Sequence, residues 1–164
     1  MSKRIETIAD LNAIAAAYSE EKARYARQIL VCAGAGCVSS HCGAVRDAAC
    51  ETIEALGLSR QAQVVETGCM GTCAVGPVML ILPERAFYTN LTPETTKKIL
   101  RAHLIDGQVL EEYTFYDQAL GRHVPCLDDI EFFKQQVRIA LRNCGMMAYD
   151  SIEAYIACGG YQAI

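Results

Sequence analysis

The stretch "VCAGAGCVSSHC", Val31–Cys42, sets three cysteines among glycine, alanine and serine. Little in it has the bulk to fill a core, so its sulfur needs another purpose. "ETGCMGTCAVGP", Glu66–Pro77, poses the same problem further along. Cys32 and Cys37 enclose four residues, and Cys69 and Cys73 enclose three.

The flanks of the two stretches set the fold. "QILVC", 28–32, is a short apolar run that enters the first cysteine loop and reads as a buried strand. From Gly43 to Leu56 the period turns helical: Val45, Ala48, Ala49, Ile53 and Leu56 share a face, and Gly57 is placed to end it. "AQVVET", 62–67, is a second strand and runs into the second loop. "VMLIL", 78–82, is a third, and Phe87-Tyr88 make a short hairpin partner after "PERA". Thr92 then caps a helix that starts at Pro93 and stops at Gly107. Upstream, residues 5–27 predict a helix with a stripe of Ile5, Ile8, Leu11, Ile14, Ala15 and Tyr18. The order through 107 is helix, strand, helix, strand, strand, strand, helix: an α/β chain with a small mixed sheet of the thioredoxin type.

Three segments follow: an N-terminal helix (1–27), a thioredoxin-like domain (28–107) and a connecting arm (108–164). The arm predicts little regular structure. "FYDQALGRHVPC" reads as irregular, "DDIEFFKQQ" as a helical turn, and "SIEAYIACGG" as a short capped helix. It holds too few amphipathic elements for its own core and is expected to pack on something else as a contact surface.

The chain has 164 residues, 52% hydrophobic, with a formal net charge of −4. Such a charge gives no electrostatic reason to expect nucleic acid or an anionic membrane as partner. The N-terminus lacks the apolar run of a signal peptide, and no stretch reaches the roughly 18 apolar residues of a transmembrane span. The expectation is a soluble, cytoplasmic protein, with self-association left open.

Nine cysteines in a reducing compartment fit disulfides poorly and metal or redox chemistry well. Cys42, Cys50, Cys126, Cys144 and Cys158 are scattered, and most read as small buried hydrophobes. Cys32, Cys37, Cys69 and Cys73 differ, because each pair ends a strand and neighbouring strands bring the two loops to one sheet edge. Four thiolates on two loops make a full ligand set for a [2Fe–2S] cluster. Gly34, Gly36, Gly68, Gly71 and Gly76 are expected to supply positive φ angles and close backbone approach, with amides turned towards sulfur. Zinc takes the same four donors, although its pairs most often enclose two residues. Thiol–disulfide exchange would call for C-x-x-C, a spacing the sequence lacks. Four buried cysteines with no ligand are a further option. Three histidines leave a Rieske centre little material, and His41 reads as a loop residue near the site.

The C-x₄-C … C-x₃-C pattern, with "VETGCMGTCAVGP" carrying the second pair, resembles the thioredoxin-like [2Fe–2S] ferredoxins over residues 28–107. These include the small iron–sulfur subunit of respiratory complex I and related subunits of NAD-linked hydrogenases and formate dehydrogenases. "FFKQQVRIALRNCGMMAYDSIEAYIACGGYQAI" in turn resembles the entry segment of the NADH-oxidising flavoprotein (diaphorase, beta) subunit of such enzymes. The resemblance implies one-electron transfer through a [2Fe–2S] cluster held by Cys32, Cys37, Cys69 and Cys73, with Cys42 as a substitute for Cys37. It implies redox partners: an NADH-oxidising flavoprotein domain, or iron–sulfur subunits of a hydrogenase or dehydrogenase, including electron-bifurcating ones. The glycine-rich flavin and NADH loop of that family is missing from the sequence, as is its later [4Fe–4S] motif, so no complete catalytic site is expected. The competing reading is a thioredoxin-like adaptor that holds zinc, or no metal, and docks on a partner enzyme.

Overall fold

A computed structural model describes residues 5–163. The first four residues of the predicted N-terminal segment, and Ile164 at the end of the arm, lie outside the described residues.

Four strands form the main sheet: β1 (Arg27–Cys32), β2 (Ala62–Thr67), β3 (Met79–Leu82) and β4 (Ala86–Tyr88), in the order β2-β1-β3-β4. β1 runs parallel to β2, with Cys32 opposite Thr67, and antiparallel to β3, with Val31 opposite Met79. β3 and β4 close the sheet as a hairpin. The mixed sheet expected from the sequence is therefore present. Ile29, Val31, Met79, Leu80 and Ile81 are fully buried. A strand covered on both faces loses the apolar–polar alternation of a half-exposed one, which is why "QILVC" and "VMLIL" read as unbroken runs.

Alternate residues of a strand point to opposite faces, and β4 shows which layers cover the sheet. Tyr88 turns to α4 (Pro93–Ile105), where its hydroxyl lies 2.8 Å from His103 Nδ1. Phe87 turns the other way and meets the ring of Phe133 edge-on at 6.3 Å. α3 (Cys42–Ala55) packs against α4 and onto β1 and β2. α4 starts as predicted: the Thr92 side chain accepts from the Thr95 amide, Thr95 returns the contact to the Thr92 amide, and Pro93 fills the first turn.

Three local expectations are corrected. The first cysteine loop contains a helix, α2 (Ala35–Ser39), too short for any periodic signal. α1 (Ile8–Ala23) is shorter than the predicted 5–27, and of its stripe only Leu11 is buried while Ile5 and Ile8 are exposed. Finally, "FYDQALGRHVPC" is not irregular: Phe115–Asp117 (β5) and Arg122–Val124 (β6) form a hairpin. Its turn is set by the Asp117 carboxylate, which accepts from the amides of Ala119 and Leu120, and by Gly121 at φ +62°.

The arm packs on the domain itself. Val124, Leu127 and Ile130 are at most 4% exposed and belong to the same buried cluster as β1, β3 and β4. Isolated bridges tie Tyr88 to Thr114 and Ala86 to Cys126, so the arm runs along the β4 edge, and Thr67 to Ala148 reaches the opposite edge. α5 (Glu131–Lys134) follows a 3-10 turn. The final helix, α6 (Ile152–Ala157), is capped by Ser151 and packs on α1.

Candidate metal centre

β1 ends at Cys32 and β2 ends one residue before Gly68. Because the two strands are parallel neighbours in register, the loops that leave them emerge side by side. The Ala33 amide donates to the Thr67 carbonyl at 2.9 Å and fixes that exit. The first loop turns at once into α2, which carries Cys37. The second runs through Cys69 and Met70 to a 3-10 turn that begins at Cys73. α2 lies against that turn.

The contact between loops is too close for side chains on the first one. A Cβ on Gly34 would stand 2.8 Å from the Cβ of Cys69, and one on Gly36 would stand 3.0 Å from the Cβ of Cys73. On the other side, a Cβ on Gly76 would meet Cys37 Sγ at 3.1 Å. The missing bulk of "CAGAGC" thus lets two cysteine-bearing loops touch. The expected positive φ angles are a correction: among the five site glycines only Gly71 adopts one, at +92°. There its amide donates to Cys69 Sγ at 3.3 Å. Gly34, Gly36 and Gly76 serve close approach, and a Cβ on Gly68 would meet nothing within 4 Å.

The four predicted thiols stand as two pairs. Cys69 Sγ and Cys73 Sγ are 3.8 Å apart, both residues being exposed. Two sulfurs bound at about 2.3 Å to one tetrahedral metal lie roughly that far from each other. Cys32 and Cys37 are buried, at 2% and 1% exposure. Burial, followed by the Cys32 thiol beside it, pushes the Cys37 thiol up to about 12, while the backbone of Val78 works in the opposite direction. The Cys73 thiol is raised first by its contact with Cys69. Closely set thiols resist ionising together, and a bound cation removes that conflict by taking them all as thiolates. Among the described residues, no three His, Cys, Asp or Glu side chains are grouped around a single-ion position.

Cys42, the substitute considered for Cys37, is the first residue of α3 and is buried. Its thiol is raised by burial and then by Cys32 and Glu66. Cys37, by contrast, lies directly under Gly76 of the second loop. His41, between the two, is exposed and takes the left-handed corner (φ 63°) from α2 into α3. All nine cysteines are free thiols. Of the scattered five only Cys42 is buried; Cys50 and Cys158 are exposed and Cys126 and Cys144 half-buried, which corrects the expectation of buried hydrophobes.

Two further residues of the centre had no sequence signal. Thr72 places a buried Oγ1 next to Cys73 with no hydrogen-bond partner among the described residues. Met70, only 5% exposed, is pressed under the arm, where a Cβ on Gly145 would meet its Cγ at 2.7 Å.

A family profile described as thioredoxin-like [2Fe–2S] ferredoxin matches residues 6–104. The chain belongs to that family. The ferredoxin of Clostridium pasteurianum, a [2Fe–2S] protein, is 29% identical over 75 residues, or 46% of this chain and 74% of its own. The [2Fe–2S] ferredoxin of Aquifex aeolicus is 35% identical over 48 residues, covering 29% of this chain and 43% of that one. A crystal structure of the wild-type thioredoxin-like ferredoxin from Aquifex aeolicus superposes with a TM-score of 0.51 at 26% identity, covering 54% of this chain and 95% of that chain. The thioredoxin-like fold, the [2Fe–2S] cofactor and electron transfer through it follow from this membership. The residues of the two loops fit the group: two thiol pairs, loops held in contact by absent Cβ atoms, and in the second loop a buried hydroxyl with no partner among the described residues. The family match ends at residue 104, before the arm. No helix among the described residues is long and apolar enough to cross a membrane.

Proposed function

We propose that Cys32, Cys37, Cys69 and Cys73 hold the [2Fe–2S] cluster and that the chain is the one-electron carrier of an NAD(P)H-linked hydrogenase or dehydrogenase, working in the cytoplasm beside an NADH-oxidising flavoprotein. The observation that carries the ligand set is the contact of Gly34 and Gly36 with Cys69 and Cys73, which leaves the two thiol pairs in adjoining loops. When bound, the cluster accepts and donates single electrons. The protein's own residues do the rest. The Gly71 amide donates to Cys69 Sγ, the buried Thr72 hydroxyl has no partner of its own among the described residues, and the β1–β3 core beneath Cys32 and Cys37 keeps water from that pair. Cys69 and Cys73 open to solvent, so theirs is the side a partner can approach.

The flavoprotein context rests on the resemblance of residues 132–164 to a flavoprotein entry segment, and the domain limits at 27 and 107 are proposed with it. Each of the four cysteines is to be replaced by serine in turn, and iron content and the reduced-state EPR signal recorded. The ligand set predicts that every replacement removes or alters the signal. An unaltered signal in any one of them removes that residue from the set. A zinc-loaded or metal-free adaptor predicts no iron in the parent protein.

A further inference from the structure

From Phe132 to Tyr149 the arm carries Lys134, Arg138 and Arg142 and no carboxylate, in a chain of net charge −4. Lys134 is engaged by Asp129 of the preceding 3-10 turn and by Glu131 of its own helix. Arg138 lies over the Phe133 ring at 5.6 Å, and Arg142 has no ion pair or hydrogen bond among the described residues. Between these cations Val137, Ile139 and Leu141 recur at every second residue, exposed by 89%, 79% and 60%. Three large apolar side chains within five residues thus stand in solvent, on irregular backbone and turns rather than in a strand.

The two phenylalanines just before this row, Phe132 and Phe133, adjoin the metal centre, and Arg138 is tied to them through the Phe133 ring. A recess of about 250 Å³ is lined by Gly71, Thr72, Ala74 and Val75 of the second cysteine loop and by arm residues that include Phe132 and Phe133. The same arm holds down Met70 through Gly145. A body seated on the arm therefore lies next to the exposed Cys69–Cys73 pair.

We infer that residues 132–142, with the recess beside Thr72, form the docking face for an acidic redox protein, which places an apolar side chain in the recess and carboxylates against Arg138 and Arg142. The inference rests on the electron-carrier reading and adds to it the place and charge of the partner. Apolar anchors in a pocket supply affinity, and complementary charge supplies encounter rate that salt suppresses. α4 carries Lys97 and Lys98 on the other face of the sheet, but these are met by Glu51 and by Glu112 and Tyr113.

The test uses the full chain, reduced anaerobically, with flavodoxin as the acidic probe and cytochrome c as the basic one. One electron leaves the reduced protein, and the one-electron-reduced flavin that forms takes its proton from water. Expected is transfer to flavodoxin that slows as salt rises. The paired change Arg138→Glu and Arg142→Glu slows it by about 10-fold or more at low salt, and Phe132→Asp slows it at all salt concentrations. Lys97→Glu with Lys98→Glu has little effect, and the cluster's EPR signal is unchanged in every variant. With that signal intact, equal rates to flavodoxin in the arginine variants, or the same slowing of their transfer to cytochrome c, would overturn the docking face. A dimer that dissociates in the arginine variants would give the face to a second copy and overturn it too. Loss of the electron-carrier reading looks different, because the parent protein would then show no iron signal at all.

Discussion

Gly34 lies so close to Cys69 that a Cβ on the glycine would stand 2.8 Å from the cysteine's Cβ and 3.1 Å from its Cα. Backbone cannot retreat as the tip of a flexible side chain can. Gly34→Ala is therefore expected to push the loops apart, cost about 1–3 kcal/mol as overpacking does, and lower the iron retained per chain. Gly43→Ala is the control, since a Cβ there meets nothing within 4 Å and the residue lies in α3. It should keep full iron and match or exceed the parent in thermal stability.

Cys37 and Cys42 are both buried, and the Cys37 sulfur lies under Gly76 of the second loop. Cys37→Ser should lose the cluster signal, whereas Cys42→Ser should keep it with a small loss of stability from the altered α3 start. Parallel EPR spectra of the two variants decide the matter, and a reversed pattern would move the ligand to Cys42.

The Thr72 hydroxyl is buried without a partner among the described residues. A donor next to cluster sulfur favours the more negative, reduced state, and removing it lowers the reduction potential. Thr72→Val should make the potential more negative in a spectroelectrochemical titration. Thermal stability of the metal-free protein should hold or rise, because an unsatisfied buried hydroxyl costs about 1–3 kcal/mol. An unshifted potential would leave Thr72 as packing alone.

Ile130 belongs to the arm, yet it is 1% exposed in the same cluster as the sheet. Ile130→Ala should destabilise the chain by about 2–5 kcal/mol, the usual cost of emptying a buried aliphatic site. Denaturant unfolding would show it. A change below about 1 kcal/mol would mean that the arm rests on the sheet without supporting it.

His103 is buried between Tyr88, whose hydroxyl lies at 2.8 Å, and Glu84 at 3.6 Å, which is itself paired with Arg27. Burial lowers its pKa below the ordinary 6.5, the neighbouring Glu84 only partly opposing the shift. In the window between the lowered folded value and 6.5, the unfolded chain binds more protons than the native one, so stability rises with pH there. Stability should fall as pH drops below about 6.5, and His103→Gln should remove that part of the slope. Urea midpoints between pH 7.5 and 5.5 (about this range suffices) measure the difference between the two proteins.

The parts of the fold that could be read in the sequence are those with a long or unbroken pattern. The apolar runs of β1 and β3, the capped start of α4 at Thr92-Pro93, and the paired cysteines each carry their signal within a few residues. What escaped was short or depended on distant partners. α2 has five residues of alanine, glycine, cysteine, valine and serine, too few to show a period. The β5–β6 hairpin has three-residue strands, and its signal lay in Asp117 and Gly121 of the turn. The stripe of α1 misled because the helix that packs on it, α6, lies more than a hundred residues later and has six residues against its sixteen, which leaves Ile5 and Ile8 exposed. For the glycines the composition was informative and the reason was not. Gly34 and Gly36 are small because Cys69 and Cys73 lie against them, a contact visible only once β1 and β2 are paired.

The measurement closest to the central claim is an iron and zinc assay combined with absorption and EPR spectra of anaerobically purified protein, oxidised and then reduced with dithionite. Four thiolates in two adjoining pairs predict about two irons per chain, visible charge-transfer colour when oxidised, and an EPR signal from one coupled pair on reduction. Zinc in place of iron, or no metal retained after iron–sulfur reconstitution, would contradict the account.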